Sequence, residues 1–387
     1  MIRPALCFAL VLFCVSRALA WGPFTHAALS ESLLERIGEA HHHPLAFLTT
    51  APYRTLFVRA SLSPDMTLSA FAGKKVNPVY NKLFHDRAIG RAIVQAAWEA
   101  HDLQAAAFGL GWLGHAVSDN RMSKTSGSVI YHDLFGLPVA TRKKLASSLN
   151  AINKICIDAF LMKEEQAPEV EPYVDEAALA AALKAPIAAR HLAVEPPETA
   201  IPGFVSSFSW ACSSIHAFCE QVGTTKSFPA LIEGLTERDE DGDRSVPGYD
   251  AVVEAMDQAL SAAVRDAKGA GDAEVTSADP SPASDADGRH VDPSLGTRAA
   301  RKARALAAKG SAFLWGGTTI TRKIREAVLE RSLQLVNSMG GDGSLGGRLL
   351  VTFAGDMLNE TRNWPEVQAH LRKLAGAPDP EPDSADE

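Results

Sequence analysis

One stretch limits what this chain can become: Gly111-Trp112-Leu113-Gly114-His115-Ala116-Val117-Ser118-Asp119-Asn120, the end of an apolar run that begins near Ala88. His115 and Asp119 stand four residues apart. On a helix that spacing puts both side chains on one face, one turn apart. Two readings fit a polar pair in so apolar a run. The imidazole and the carboxylate bond each other in a core, or together they grip one divalent ion.

The rest of the chain is helical in pattern. Ala27 to Ile37 is amphipathic, Gly90 to Asp119 reads as one or two helices, and residues 141–163 are helical by period. Ala-rich helices with Pro breaks run from Asp175 to Glu195 and from Phe204 to Val222. Strand patterns are nearly absent, so the expected class is all-α, a multi-helical bundle. Residues 266–298, rich in Ala, Gly, Ser, Pro and Asp, read as a disordered linker. Helical periodicity returns over 299–375, where Gly340, Gly341 and Gly343 interrupt it, and the tail 376–387 is acidic. The expected organisation is therefore a helical domain over 21–265, a linker, additional C-terminal helices and a solvated tail.

Residues 1–20 read as a signal peptide: Arg3 is the basic start, Ala5 to Ser16 the apolar core, and Ala18-Leu19-Ala20 a cleavage site. This predicts a secreted or periplasmic protein. No later stretch reaches the ~20 apolar residues of a spanning helix, so no membrane anchor is expected after cleavage. The formal charge is −8, and it becomes −10 once Arg3 and Arg17 leave with the leader. That argues against gripping nucleic acid by charge alone. Cys156, Cys212 and Cys219 remain, an odd number. Cys212 and Cys219, two helical turns or about 10 Å apart, are too far apart to bridge.

Cleavage after Ala20 leaves Trp21 with a free amine, five residues before His26. An amine, a backbone carbonyl and an imidazole can chelate one metal; a buried N-terminal Trp is the alternative. Asp65 lies in Ser63-Pro64-Asp65-Met66 as a cap carboxylate or a ligand, and His85 lies in Phe84-His85-Asp86, where Asp86 is placed to orient the ring. His41, His42, His43 and His101 read as solvated. Asp239, Asp241, Asp243, Ser245 and Asp250 fall at positions 1, 3, 5, 7 and 12 of a calcium-binding loop. Arg244 takes the Gly position and Asp250 the Glu position, so a solvated acidic turn is the competing reading.

Trp21, His26, Asp65, His85, His115 and Asp119, in that order, resemble the zinc-dependent phospholipase C family and its relatives, the S1/P1-type nucleases. The resemblance covers about residues 21–160. It implies an all-α hydrolase with zinc ions: Asp65, His85, His115 and Asp119 on one, Trp21 and His26 on a second, and Asp119 bridging. Asp65 would also take a proton from the attacking water. For a third zinc, His132 can fill the first role. The following helix, however, carries Asn150 and Lys154 where a His and a carboxylate are implied, if Asp158 keeps register. His216 with Glu220, and His191 with Glu195, have the spacing of a relocated pair. The implied count is two or three zincs.

The implied function is a phosphodiesterase that cleaves the glycerol–phosphate bond of a phospholipid. The alternatives are a single-strand nuclease, in which nucleic acid is the substrate, or a zinc-binding domain without turnover.

Overall fold

A computed structural model describes residues 22–68, 78–125, 137–164, 166–168, 171–238, 242, 244–269, 341–359 and 362–377. Twelve described helices carry it: α1 Pro23–Glu39, α2 Tyr53–Ser61, α3 Pro78–Phe84, α4 Arg87–Glu99, α5 Leu103–Thr125, α6 Val139–Lys163, α7 Glu176–Ala189, α8 Pro197–Thr224, α9 Phe228–Glu233, α10 Tyr249–Gly269, α11 Gly341–Asn359 and α12 Trp364–Leu374. Single 3-10 turns fill Ala46–Thr49 and Ser63–Leu68. The two described strands, β1 Glu237–Arg238 and β2 Arg244–Ser245, pair antiparallel with Glu237 opposite Ser245. The all-α class is as the periodicity predicts.

The run from Gly90 to Asp119 is two helices. The chain breaks at His101, whose φ is +55°, and restarts at Asp102, whose carboxylate accepts from the backbone N–H groups of Gln104 and Ala105. Asp86 and Asp175 start α4 and α7 in the same way, by accepting from Ala88 and Ala178. A side-chain acceptor satisfies donors that the first helical turn leaves without partners.

Helix α5 is the centre of the fold. Every residue from Ala105 to Asp119 is buried, and α2, α4 and α10 pack around it. A helix enclosed on all sides carries its polar residues into the core, which is how His115, Ser118 and Asp119 come to be buried. The approach of α2 is close. A Cβ on Gly111 would be driven into the Phe57 carbonyl oxygen and would lie 2.7 Å from Ala60 Cβ. Amphipathic α10 closes the other side through Val252, Met256, Leu260 and Val264.

The boundaries shift in two places. Helix α10 continues through residues 266–269, which the composition assigns to a linker; 270–298 lie outside the described residues. Gly341 and Gly343 begin α11 rather than break a helix. Apolar Leu349, Phe353, Met357, Trp364, Val367 and Leu371 place α11 and α12 in the same buried core as the first domain, with α11 against α6 and α12 against α9. Buried Asp356 joins these two helices by accepting from Arg362 and, at 2.6 Å, from His370. Residues 1–21, 299–340 and 378–387 lie outside the described residues. No described helix is long and apolar enough to cross a membrane.

The calcium-loop reading is not supported by the described part of that segment. A calcium hand needs its sharp turn at the sixth position. That position is Arg244, which sits in β2, and the left-handed backbone falls on Gly242 instead, with φ +89°. The Arg244 guanidinium reaches back to Thr236 and Glu233, and Asp250 is exposed. Asp239, Asp241 and Asp243 lie outside the described residues.

The close crossing at Gly111 gives a test. Gly111→Ala adds a methyl group where no space exists, so unfolding in denaturant is expected to show a loss of about 1–3 kcal/mol despite the better helix propensity of Ala.

Candidate metal centre

Five side chains from distant parts of the sequence meet at the buried end of α5. His26 comes from the first turn of α1, Asp65 from the 3-10 turn after α2, and His85 from the residue after α3; His115 and Asp119 come from α5 itself. His26, Asp65 and His115 are at most 1% exposed, Asp119 is 7% exposed, and the His85 side chain at 20% is the most open of the five.

The segments that bring them are fixed locally. Trp112 Nε1 donates to the Phe84 carbonyl at 2.9 Å and so sets the end of α3 beside α5. Thr67 donates to the Asn81 side chain at 2.9 Å, tying the turn of Asp65 to α3. Ser63 donates to the Tyr173 carbonyl at 2.7 Å and fixes the start of that turn.

Every imidazole is held by its Nδ1. His115 Nδ1 lies 2.7 Å from the Ser61 carbonyl, and His85 Nδ1 lies 2.9 Å from the Asn81 carbonyl. A carbonyl only accepts, so both rings carry hydrogen on Nδ1. His26 Nδ1 lies 3.0 Å from Ser118 Oγ, which already donates its hydrogen to the His115 carbonyl at 2.8 Å. Ser118 is therefore an acceptor for His26, whose Nδ1 is also the protonated nitrogen. All three Nε2 atoms then face the centre. A second partner on the far nitrogen of each ring is the usual support of a metal-binding histidine.

The distances suit one shared shell. His85 Nε2 is 3.2 Å from Asp65 Oδ1 and 3.5 Å from Asp119 Oδ2; His115 Nε2 is 3.7 Å from Asp65 Oδ1 and 3.6 Å from Asp119 Oδ2. Ligands held ~2.0–2.1 Å from a tetrahedral ion stand about 3.3 Å apart. The other oxygen of Asp119 faces elsewhere, 3.4 Å from His26 Nε2. Asp119 thus presents one oxygen to His85 and His115 and the other to His26, the arrangement of a bridging carboxylate. Ligand atoms of His26, Asp65 and His115, and of His85, His115 and Asp119, all lie within 4.8 Å of one another in each set.

Unpartnered atoms fit the same group. His26 Nε2, His115 Nε2, Asp65 Oδ2 and Asp119 Oδ1 are buried with no hydrogen-bond partner. A buried polar atom left so is costly, and here lone pairs face lone pairs. A cation between them relieves this. In the metal-free protein a proton on His85 supplies part of that charge. Burial opposes the charge on His85, but the hydrogen bond to Asp65 and the charges of Asp119 and Asp65 outweigh it and raise His85 to about 9. His115 goes the other way, down to about 4, because it is buried and His26 is beside it. Burial opposes charge on Asp119 too, yet His115 and His26 hold its carboxyl well below the usual range. With their ligand atoms grouped this closely, the five residues can hold a divalent metal ion.

The sequence-predicted residues divide cleanly. His26, Asp65, His85, His115 and Asp119 come together. Trp21 and His132 lie outside the described residues, as does the side chain of Asn150. Asp86 does not orient His85, as expected from adjacency; it caps α4 and pairs with Arg190 at 3.2 Å, while Asn81 does the orienting. His216 and Glu220 are not part of the cluster: they pair with each other at 3.6 Å, Glu220 is more than half exposed, and the His216 ring packs against Phe24. His191 lies beyond the end of α7 with a φ of +49°, so it and Glu195 do not share a helical face. His43 is not simply solvated, since it pairs with Asp257 of α10 at 3.0 Å. Cys156, Cys212 and Cys219 are buried and free. Ser61, Asn81 and Ser118, which lock the rings, carry no sequence signal beyond the three-residue step from His115 to Ser118.

Two outcomes follow. The folded value for His85 stands above the free value of 6.5, so its contribution to the metal-free fold is complete below that pH and fades as pH rises through about 9. Metal uptake at pH 7 must expel this proton. Calorimetry in buffers of different ionisation enthalpy is expected to show about one proton released at pH 7, shrinking toward none above pH 9. Ser118→Ala frees the His26 ring and is expected to weaken metal affinity about 10–100-fold in a competitive chelator titration. Comparison of the chain with family models, with curated proteins and with solved structures finds no match.

Proposed function

We propose that the chain is a secreted or periplasmic zinc-dependent phosphodiesterase of the phospholipase C type, which hydrolyses the glycerol–phosphate bond of a phospholipid. The observation that carries this reading is the convergence of three Nε2 atoms on two buried carboxylates, with Asp119 facing both sides. Mixed imidazole and carboxylate donors suit zinc. Bound zinc would polarise a phosphoryl oxygen and lower the pKa of a water molecule.

The protein residues have separate parts. His26, His85, His115 and Asp119 hold and orient. Asp65 has one oxygen toward the rings and the other, Oδ2, buried with no partner, so it is placed to accept the proton of the attacking water. His85 and Asp119 form the open side, where a diester can approach. Water adds to phosphorus, the glycerol oxygen leaves with a proton, and diacylglycerol and a phosphorylated headgroup result.

A second reading, a zinc-binding domain without turnover, is favoured by one observation. Helix α6 presents Lys154, an ammonium, beside the centre, where a further metal would need a ligand.

The test begins with elemental analysis of the mature protein, and two zincs per chain are expected. Zinc-loaded protein is then offered short-chain phosphatidylcholine and a single-stranded oligonucleotide. Release of phosphocholine that stops on chelation and is lost in Asp65→Asn is the expected result. Cleavage of the oligonucleotide alone makes the chain a nuclease. Zinc without either activity leaves the binding-domain reading, and failure to take up zinc removes the proposal.

A further inference from the structure

Lys154 is 2% exposed, and its Nζ has no hydrogen-bond or ion-pair partner among the described residues. A buried ammonium without a partner is among the most costly groups a core can contain. It sits in the field of Asp119, Asp65 and Asp158, and burial nonetheless draws it down to about 7. Its natural partner within α6 is Asp158, one turn further on, but the two form no ion pair: Oδ1 of that carboxylate is taken by Thr25, and Oδ2 is buried with no hydrogen-bond partner. Asp158 Oδ1 accepts from both the backbone N–H and the hydroxyl of Thr25, at 2.7 Å each, and so caps α1. Gly22 packs so closely on Asp158 that a Cβ there would run into the carboxylate. Asp158 is thus pinned to the start of α1 and does not reach Lys154.

Lys154 makes no ion pair with a described carboxylate; it lies one helical turn from Asp158, which bonds Thr25 next to His26, and within the field of Asp65 and Asp119. Resting on the phosphodiesterase reading, we propose that Lys154 holds an oxygen of the substrate phosphate group. It supplies from the protein the positive charge that a further metal ion would otherwise bring. A fixed ammonium on a phosphoryl oxygen balances charge as the transition state forms. It also explains why the residue is tolerated uncompensated in the free protein: the bound anion completes it.

The experiment uses zinc-loaded full chain and two anions, inorganic phosphate and dimethyl phosphate, titrated by calorimetry into wild type, Lys154→Met and Lys154→Gln. Zinc is counted in each sample. The expected result is unchanged zinc and at least about tenfold weaker anion binding in both variants. A larger loss for dimethyl phosphate marks a diester subsite, and a larger loss for inorganic phosphate marks a site for a phosphate monoester product; either supports the proposal. Equal anion affinity in variant and wild type overturns it, and so does loss of zinc in the variants, which would make Lys154 a support of the centre. A wild-type measurement is independent of how the variants fold. With lysine side chains labelled with 15N, phosphate must shift the ammonium resonance that is shielded from solvent, and an unmoved resonance overturns the proposal. A chain that binds phosphate through Lys154 but hydrolyses no diester sinks the functional reading and leaves this one standing; the reverse result does the opposite.

Discussion

The structure depends on three hydrogen bonds that decide which nitrogen of each histidine faces inward. Ser61, Asn81 and Ser118 take the Nδ1 hydrogens of His115, His85 and His26. Remove that constraint and the same five residues could form an ordinary buried network in which imidazole N–H groups donate to carboxylates. With it, Nε2 of His26 and of His115 is left as an acceptor facing the acceptors Asp65 and Asp119, and Nε2 of His85 faces them too, as a donor only while that ring is protonated. The core is then short of positive charge at its centre, and that shortage is the physical content of the metal site.

Packing serves this arrangement. The Ser61 carbonyl reaches His115 because α2 lies almost backbone to backbone against α5 at Gly111. Ser118 can bridge His115 to His26 because α1 and α5 meet at their functional ends, and Asp158 caps α1 so that Thr25 and His26 are presented to that contact. Helix α6 contributes on both counts: it pins α1 through Asp158 and buries Lys154 in the field of Asp65 and Asp119. The apolar surfaces of α10 and α11 seal the outside of this assembly.

What was legible in the sequence was local. The four-residue step from His115 to Asp119 is a statement about one helix, and so survives without knowledge of the fold. The ordered set of His26, Asp65 and His85 was legible only as a pattern, and the helical class followed from periodicity. What was not legible was anything decided by contact between distant segments. Adjacency nominated Asp86 to orient His85, but the turn before α4 needs that carboxylate as a cap, and the orienting atom is a backbone carbonyl with no residue signature. Spacing nominated His216 with Glu220, but the register of α8 points Glu220 outward. Composition placed a boundary at residue 266, whereas α10 runs on because Ala267 is still buried against the core.

The two original readings of His115 and Asp119, a bonded core pair or a metal grip, can be separated by counting donors. A bonded pair needs a hydrogen on His115 Nε2, and that hydrogen must come from protonation, since Nδ1 keeps its own for Ser61. Burial and the neighbouring His26 ring, stacked with centroids 3.8 Å apart, hold His115 down to about 4, so near neutral pH the hydrogen is not there. His85, the most open of the three rings, holds a proton between Asp65 and Asp119. It neutralises one side of the bridging carboxylate and leaves the side facing His26 bare. A divalent ion is the simplest occupant that meets both sides, and it needs only the His85 proton to leave for all five side chains to offer it a lone pair.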